Sequence, residues 1–220
     1  TGGAGSIGSE LCRQIAAFQP STLVILDVAE SPLFQVEMEL RRKHPELNLR
    51  AEIGDIRDIG RVDEILEAHD IQTIFHAAAY KHVPLMEAHI LEAARNNVLG
   101  TWNLVRAAAF AGVPNFLMIS SDKAVNPTSI MGVTKRIAEL IVAAMASAAR
   151  PSGSGPARFV SVRFGNVLGS NGSVVPIFQS LIAAREPLPV THPEMRRYFM
   201  SIPEAVQLVL QASTMGNCNE

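Results

Sequence analysis

Thr1-Gly2-Gly3-Ala4-Gly5-Ser6-Ile7-Gly8 opens the chain, and Ile7, Leu11, Ile15 and Phe18 follow it at helical spacing. Glycine suits such a turn because the backbone must bend sharply, come close to a pyrophosphate and let the next helix pack on a sheet. The helix N-terminus then offers free N–H groups and a partial positive charge to phosphates. Gly2, Gly5, Ser6, Ile7 and Gly8 are therefore the expected phosphate-facing residues. A plain strand–helix turn would use the same glycines. What tips the reading is Asp27, at the end of the next strand candidate and about 20 residues on, where a carboxylate can hold ribose hydroxyls. No Arg or Lys follows Asp27 closely, which favours NAD over NADP. Further along, Asp55 and Ile56 close the next strand and Ala77 and Ala78 the one after, all placed along a dinucleotide. For Asp55 an adenine contact and a solvated turn weigh evenly. A turn of this kind needs a strand in front of it, so the sequence reads as a fragment without its first strand.

Outward from this turn, short aliphatic runs alternate with longer amphipathic ones. Strands are expected at 22–26, 49–53, 73–76, 115–119 and 159–163, and helices at 6–18, 30–43, 58–69, 84–111 and 129–149. Strands linked by crossover helices make a parallel sheet, so the fold class is α/β, a doubly wound sheet of the Rossmann type. Residues 1–164 read as the NAD-binding domain. The breaker-rich stretch Arg150–Pro156 reads as a surface loop. After Phe164 the pattern loosens, and residues 165–220 read as the start of a small substrate-binding part, cut off at its C-terminal end.

Composition narrows the function classes. Of 220 residues, 48% are hydrophobic and 18% charged, enough for a buried core and against disorder. A net charge of −2 leaves no broad basic field for nucleic acid or an anionic membrane. Cys12 and Cys218 stand far apart, which argues against a disulfide scaffold. The six histidines show no ligand spacing, so no metal is expected. No apolar run reaches the roughly 18 residues of a membrane span, and no signal peptide opens the chain.

The expected strand 115–119 runs into Ser120-Ser121-Asp122-Lys123, with Met131-Gly132-Val133-Thr134-Lys135 shortly after. Met131 and Lys135 share a helix face. An Asp beside a Lys on a loop is ordinarily a solvated pair, but polar groups at the C-terminal ends of parallel strands meet the cofactor crevice.

Taken together, Thr1–Gly8, His76–Pro84, Asn97–Thr101, Ser121–Pro127, Arg163–Ser170 and Arg197–Met200 resemble the CapD-like polysaccharide-biosynthesis proteins. These are nucleotide-sugar 4,6-dehydratases of the extended short-chain dehydrogenase/reductase superfamily. The resemblance covers essentially the whole chain. It implies NAD as cofactor, a UDP-N-acetylhexosamine substrate (UDP-N-acetylglucosamine foremost) and a 4-keto-6-deoxy product for surface glycan synthesis. One departure stands out: the superfamily's usual YxxxK motif has Met131 in place of its tyrosine, and a thioether takes no proton. The sequence resembles a branch that carries Met there and still turns over, with Ser121 near the sugar 4-hydroxyl. Under this reading Lys135 holds the nicotinamide ribose, Lys123 removes the C5 proton, and Asp122 protonates the departing C6 hydroxyl. Those last roles require Lys123 lowered, and Asp122 raised, from their ordinary pKa values of about 10.4 and 3.9.

Other residues carry two readings. Lys81 and His82 either border the nicotinamide and sugar or are a solvated loop pair. His76, in an apolar strand, reads as a satisfied core histidine. Asn166, Ser173 and Arg197 suit a nucleotide diphosphate, Arg supplying a fork of donors, although Ser173 also suits a turn. Ala-rich faces on helices 84–111 and 129–149 suit either a second copy or ordinary core. Family members often carry an N-terminal membrane region, so the resemblance implies a cytoplasmic catalytic domain whose full-length form can be anchored in the inner membrane. The rival functions are a nucleotide-sugar 4-epimerase, which needs no C5 base, and a non-catalytic NAD-binding protein.

Overall fold

Residues 1–148, 157–170, 172–190 and 192–215 are described by the computed structural model. The expected loop over Arg150–Pro156 and Cys218 lie outside the described residues. From the glycine turn the chain enters α1 (Ser6–Ala17), β1 (Leu23–Asp27), α2 (Glu30–Lys43), β2 (Leu49–Ile53), α3 (Ile59–Ala68) and β3 (Thr73–His76). Then come α4 (Val83–Ala88), α5 (Ile90–Ala93), a π-helical stretch (Ala94–Gly100), α6 (Thr101–Phe110), β4 (Asn115–Ile119), a 3-10 turn (Asp122–Ala124) and α7 (Ile130–Ala148). Last are β5 (Arg158–Val162), β6 (Asn166–Val167), α8 (Val174–Ala184), β7 (Phe199–Met200) and α9 (Ile202–Met215).

All the main strands run parallel, as crossover helices require. β1 pairs with β2, Leu23 opposite Leu49, while β4 lies between β3 and β5 with Phe116 facing Ile74 and Phe159. Thr1–Gly3 joins the two groups of strands: the Ala77 N–H donates to the Thr1 carbonyl at 3.0 Å and the Gly3 N–H to that of Leu26 at 3.3 Å. Below this seam, Leu11, Ile25, Ile74, Phe75 and Leu104 line an apolar slot of about 250 Å³.

Helices cover both faces, which makes the sheet doubly wound. α1 and α2 bury Cys12, Ala16, Leu33 and Leu40 against β1 and β2. On the other face α3, α6 and α7 bury Val62, Leu104, Val105 and Val142 around Phe116 and Phe159, whose rings are 5.3 Å apart. Each such fully buried side chain contributes roughly 1.5–3 kcal/mol. α9 returns to the first face, where Val206 and Val209 meet Leu11, Leu117 and Val160. Part of the segment after residue 164 thus covers the main sheet, while β6, β7 and α8 stand at the strand ends.

The helix expected over 84–111 is not continuous. His89 has φ −130° and ψ 58°, outside the helical region, and separates α4 from α5. The break lets α4 bend over the crevice, with Leu85, Met86 and His89 on its wall, while Ala93 and Asn97 stay buried. No described helix is long and apolar enough to cross a membrane.

Candidate active site

Three cavities lie in a row over the C-terminal ends of the strands, each sharing residues with the next. The first, about 560 Å³, is walled by Gly2, Gly5, Ser6, Ile7, Gly8 and Ala77. Its glycines leave room that a β-carbon would remove. At Gly2 (φ +68°) a β-carbon would stand 2.5 Å from the Ala78 nitrogen, and at Gly8 it would overlap the Gly2 carbonyl. Asp27, at the tip of β1, accepts from the Ala4 and Ala29 N–H groups, both at 2.9 Å, so its carboxylate braces the glycine loop. The Asp55 carboxylate is gripped by the Arg57 guanidinium, with one contact of 2.6 Å, which holds it below the usual carboxylate range. Ile56 is buried and packs with Leu26 and Ile65. The glycine cradle, the α1 N-terminus and Asp27 together suit a dinucleotide, and among the described residues no cation pairs with Asp27 to receive a 2′-phosphate.

The second cavity, about 270 Å³, brings together Ser121, Lys123, Met131, Lys135, Lys81, His82, Asn166 and Ser173. The sequence pattern places these on four separate segments, and the fold makes them neighbours. Ser121 caps the 3-10 turn, its Oγ accepting from the Lys123 N–H at 3.2 Å. The same hydroxyl donates to Asp122 at 2.9 Å, and the Lys123 ammonium reaches the same carboxylate oxygen at 2.9 Å. Burial pushes the Asp122 carboxyl up, but these two bonds more than offset it, so the group sits below its ordinary value. This corrects the expectation of a raised Asp122: its carboxylate is held in an ion pair with Lys123. Lys135, buried on α7, donates to the Ile119 carbonyl at 2.6 Å, and burial lowers its amine to about 8. Partial burial likewise lowers Lys81. Met131 is 4% exposed and packs with Met86 and Ala93, an apolar plug where the superfamily motif has its tyrosine.

Two supports were absent from the sequence-based residue set. Asn97, in the π-helical stretch, accepts from the Tyr80 N–H at 2.8 Å and donates to the Tyr80 carbonyl and the Thr134 hydroxyl at 3.0 and 3.1 Å. It thereby staples the loop bearing Lys81 and His82 to α7. Gly132 is the other, because a β-carbon there would overlap the Lys123 carbonyl. His76 is the satisfied core histidine expected. Thr101 donates to the Asn97 carbonyl, so the histidine's Nε2 donates to Thr101 at 3.0 Å while Nδ1 accepts from Thr1 at 2.7 Å.

Asn166 and Ser173 continue into the third cavity, about 480 Å³, which adds Phe178, Val190, Arg197 and Phe199. Ser173 precedes α8, and its buried hydroxyl has no hydrogen-bond partner among the described residues. Arg197 is exposed and its guanidinium points at the Met195 sulfur at 3.3 Å.

A family model described as "Polysaccharide biosynthesis protein" matches residues 1–220. The chain is 47% identical to the probable polysaccharide biosynthesis protein EpsC of Bacillus subtilis, over 98% of this chain and 35% of that protein. It is 45% identical to the capsular polysaccharide biosynthesis protein CapD of Staphylococcus aureus, over 100% of this chain and 36% of that one. The chain thus spans about a third of the length of these two relatives. A UDP-glucose 4-epimerase of Rickettsia rickettsii is 37% identical over 99% of this chain and 62% of its own. Among solved structures, Pen from Bacillus thuringiensis superposes with a TM-score of 0.89 at 34% identity, covering 98% of this chain and 66% of that one. MoeE5 in complex with UDP-glucose and NAD gives 0.76 at 26%, covering 97% and 70%. DesIV, a dTDP-glucose 4,6-dehydratase from Streptomyces venezuelae with NAD bound, gives 0.82 at 23% over 100% and 72%, a likeness of fold.

Proposed function

The chain belongs to the polysaccharide biosynthesis protein family, and from that premise we infer that it is the nucleotide-binding region of an NAD-dependent 4,6-dehydratase acting on a UDP-N-acetylhexosamine, UDP-N-acetylglucosamine foremost. One observation carries the reading: an acid–base pair, Asp122 and Lys123, in contact at 2.9 Å just past the end of β4, with Lys123 on the wall of the same cavity as the buried Lys135. Elimination of water needs both an acid and a base on adjacent carbons, and simple oxidation of a hydroxyl does not.

In this reading the first cavity holds NAD and the third the nucleotide diphosphate, with Arg197, Asn166 and the unpaired Ser173 at the α8 N-terminus as anion partners. Bound NAD supplies reversible hydride transfer, so no net redox change results. Lys135 holds the nicotinamide ribose, and Ser121 stands at the sugar 4-hydroxyl. Oxidation at C4, with the hydroxyl proton leaving through Ser121 to solvent, acidifies the C5 proton, which Lys123 removes, and Asp122 protonates the C6 hydroxyl as it leaves as water. An ammonium and a carboxylate cannot play those parts as they stand. Moving one proton along the Lys123–Asp122 hydrogen bond yields the neutral amine and the carboxylic acid in a single step, and loss of water around the pair when substrate covers it favours those neutral forms.

The 37% identity to an enzyme called UDP-glucose 4-epimerase favours a second reading, epimerisation at C4. Incubating the full chain with UDP-N-acetylglucosamine and NAD, followed by mass spectrometry, separates the two. Loss of one water that disappears in Lys123→Ala and Asp122→Asn supports the dehydratase, whereas unchanged mass with altered C4 configuration supports the epimerase.

A further inference from the structure

Glu139 has no place in the reaction just described, yet its carboxylate is among the most heavily engaged groups in the molecule. It is 6% exposed and sits one turn below Lys135 on α7, on the stripe Lys135, Glu139, Val142 that meets β4 and β5. Its two oxygens accept four hydrogen bonds. Ser120 Oγ donates at 2.6 Å and Arg163 Nε at 2.7 Å to Oε1, while Arg163 Nη2 at 2.5 Å and Arg136 Nη1 at 2.9 Å donate to Oε2. That fills a carboxylate's acceptor capacity.

Both tethers lead to the catalytic cavity. Ser120 follows β4 and is the residue before Ser121-Asp122-Lys123. Arg163 follows β5 and roots the segment Phe164-Gly165-Asn166. The two strand ends stay in register past their last paired residues, with the Ser120 N–H on the Val162 carbonyl at 2.7 Å and the Asp122 N–H on that of Phe164 at 3.1 Å. We propose that Glu139 is a positioning residue: through Ser120 and Arg163 it sets the spacing between the acid–base loop and the Asn166 loop, from a place one turn along α7 from Lys135. The proposal rests on the cavity being an NAD-dependent site and not on which sugar it takes.

Lys135 is lowered by burial, and Glu139 opposes that shift from its own helix. Across the sheet, buried His76 on β3 and Lys135 sense each other, and Lys81 and Lys123 lie on the same cavity wall. Replacing Glu139 by Gln removes the only one of these charges that favours the ammonium, so Lys135 should lose its proton at lower pH.

The test is NAD affinity of the full chain by calorimetry, from about pH 6 to about pH 9, alongside steady-state turnover. Native affinity should fall as Lys135 titrates near 8. In Glu139→Gln that fall should move about one pH unit lower, with kcat reduced about 10- to 100-fold and KM little changed. Glu139→Asp keeps the charge but withdraws the carboxylate, so it should keep the native pH profile while losing turnover. Ser120→Ala cuts one tether and should do the same. A native profile together with native kcat in Glu139→Gln overturns the proposal. Should Glu139→Gln not fold, native turnover in both other variants overturns it. Absence of any sugar-nucleotide turnover by the native chain defeats the functional reading instead, and the NAD titration alone then decides for or against Glu139.

Discussion

Gly132 rests its bare α-carbon against the carbonyl of Lys123, so closely that a β-carbon would overlap that oxygen, and Pro127 closes the same gap at 3.2 Å. The first turn of α7 and the loop carrying the proposed base are therefore in backbone contact. Both are main chain, so an added β-carbon is accommodated only by a shift of the backbone. Gly132→Ala should push the Lys123 loop outward and cut kcat at least tenfold, because small displacements of a reacting group have large effects on rate. NAD affinity should stay within about twofold, since the glycine cradle lies elsewhere. Stopped-flow turnover and calorimetry on the same preparation check both halves, and native kcat would refute the contact's importance.

Met131 packs in an apolar cluster and faces the cavity, so its role here is volume. Met131→Leu conserves that volume and is expected to keep turnover within a few-fold and stability within about 1.5 kcal/mol. A hundredfold loss of kcat in a folded Leu variant would show that the thioether itself takes part.

Lys135 is a buried cation-forming group whose pKa burial lowers. Its folded-state value of about 8 lies below the unfolded one. Below about 8 both states are protonated, so the full cost of a buried ammonium is present; above it the folded state sheds the proton and that cost fades. Lys135→Met should therefore be the more stable protein at neutral pH, by on the order of 1–3 kcal/mol after the lost bond to Ile119 is counted. The gap should narrow as pH rises from about 8 towards 10. Turnover should vanish. Urea unfolding across that range tests the prediction, and a less stable variant would sink it.

His76 acts at the other end of the pH scale. Burial, helped by the charge on Lys135, holds it neutral well below its ordinary value. The unfolded chain accepts a proton there near 6.5 and the folded chain does not, so stability complete above that pH is lost as pH falls through it. The slope attributable to this residue approaches about 1.4 kcal/mol per pH unit. In His76→Gln that contribution to the slope should be missing, measurable by denaturant titration at several acidic pH values.

Much of this was legible in the sequence. The strands expected at 49–53, 73–76 and 115–119 match β2, β3 and β4, because short runs with apolar residues at strand spacing recur between the longer amphipathic helices. The glycine turn was legible for a related reason: its constraint is local, and only glycine meets it. What stayed hidden depended on partners remote in the chain. The break at His89 carries no local signal, since that residue leaves the helix only to let α4 turn over the crevice. Gly132 looked like an ordinary helical glycine until the Lys123 carbonyl lay beside it. Asp122 was expected to be raised by its surroundings, and it is lowered because the lysine that follows it and the serine that precedes it both turn back onto its carboxylate.

The π-helical stretch Ala94–Gly100 has a consequence for helical phase. An α-helix advances about 100° per residue, so side chains four apart drift by about 40° and those eight apart by about 80°. Ala93, Asn97 and Thr101 are spaced in this way, yet all three are buried. The wider turn absorbs the drift, and so Asn97 reaches Tyr80 and Thr134 while Thr101 still reaches His76. One surplus residue in the winding thus sets the rotational register between the loop that borders the second cavity and the sheet beneath it. Deleting a single residue from this stretch would rotate one half of the helix against the other and unseat either the amide or the hydroxyl.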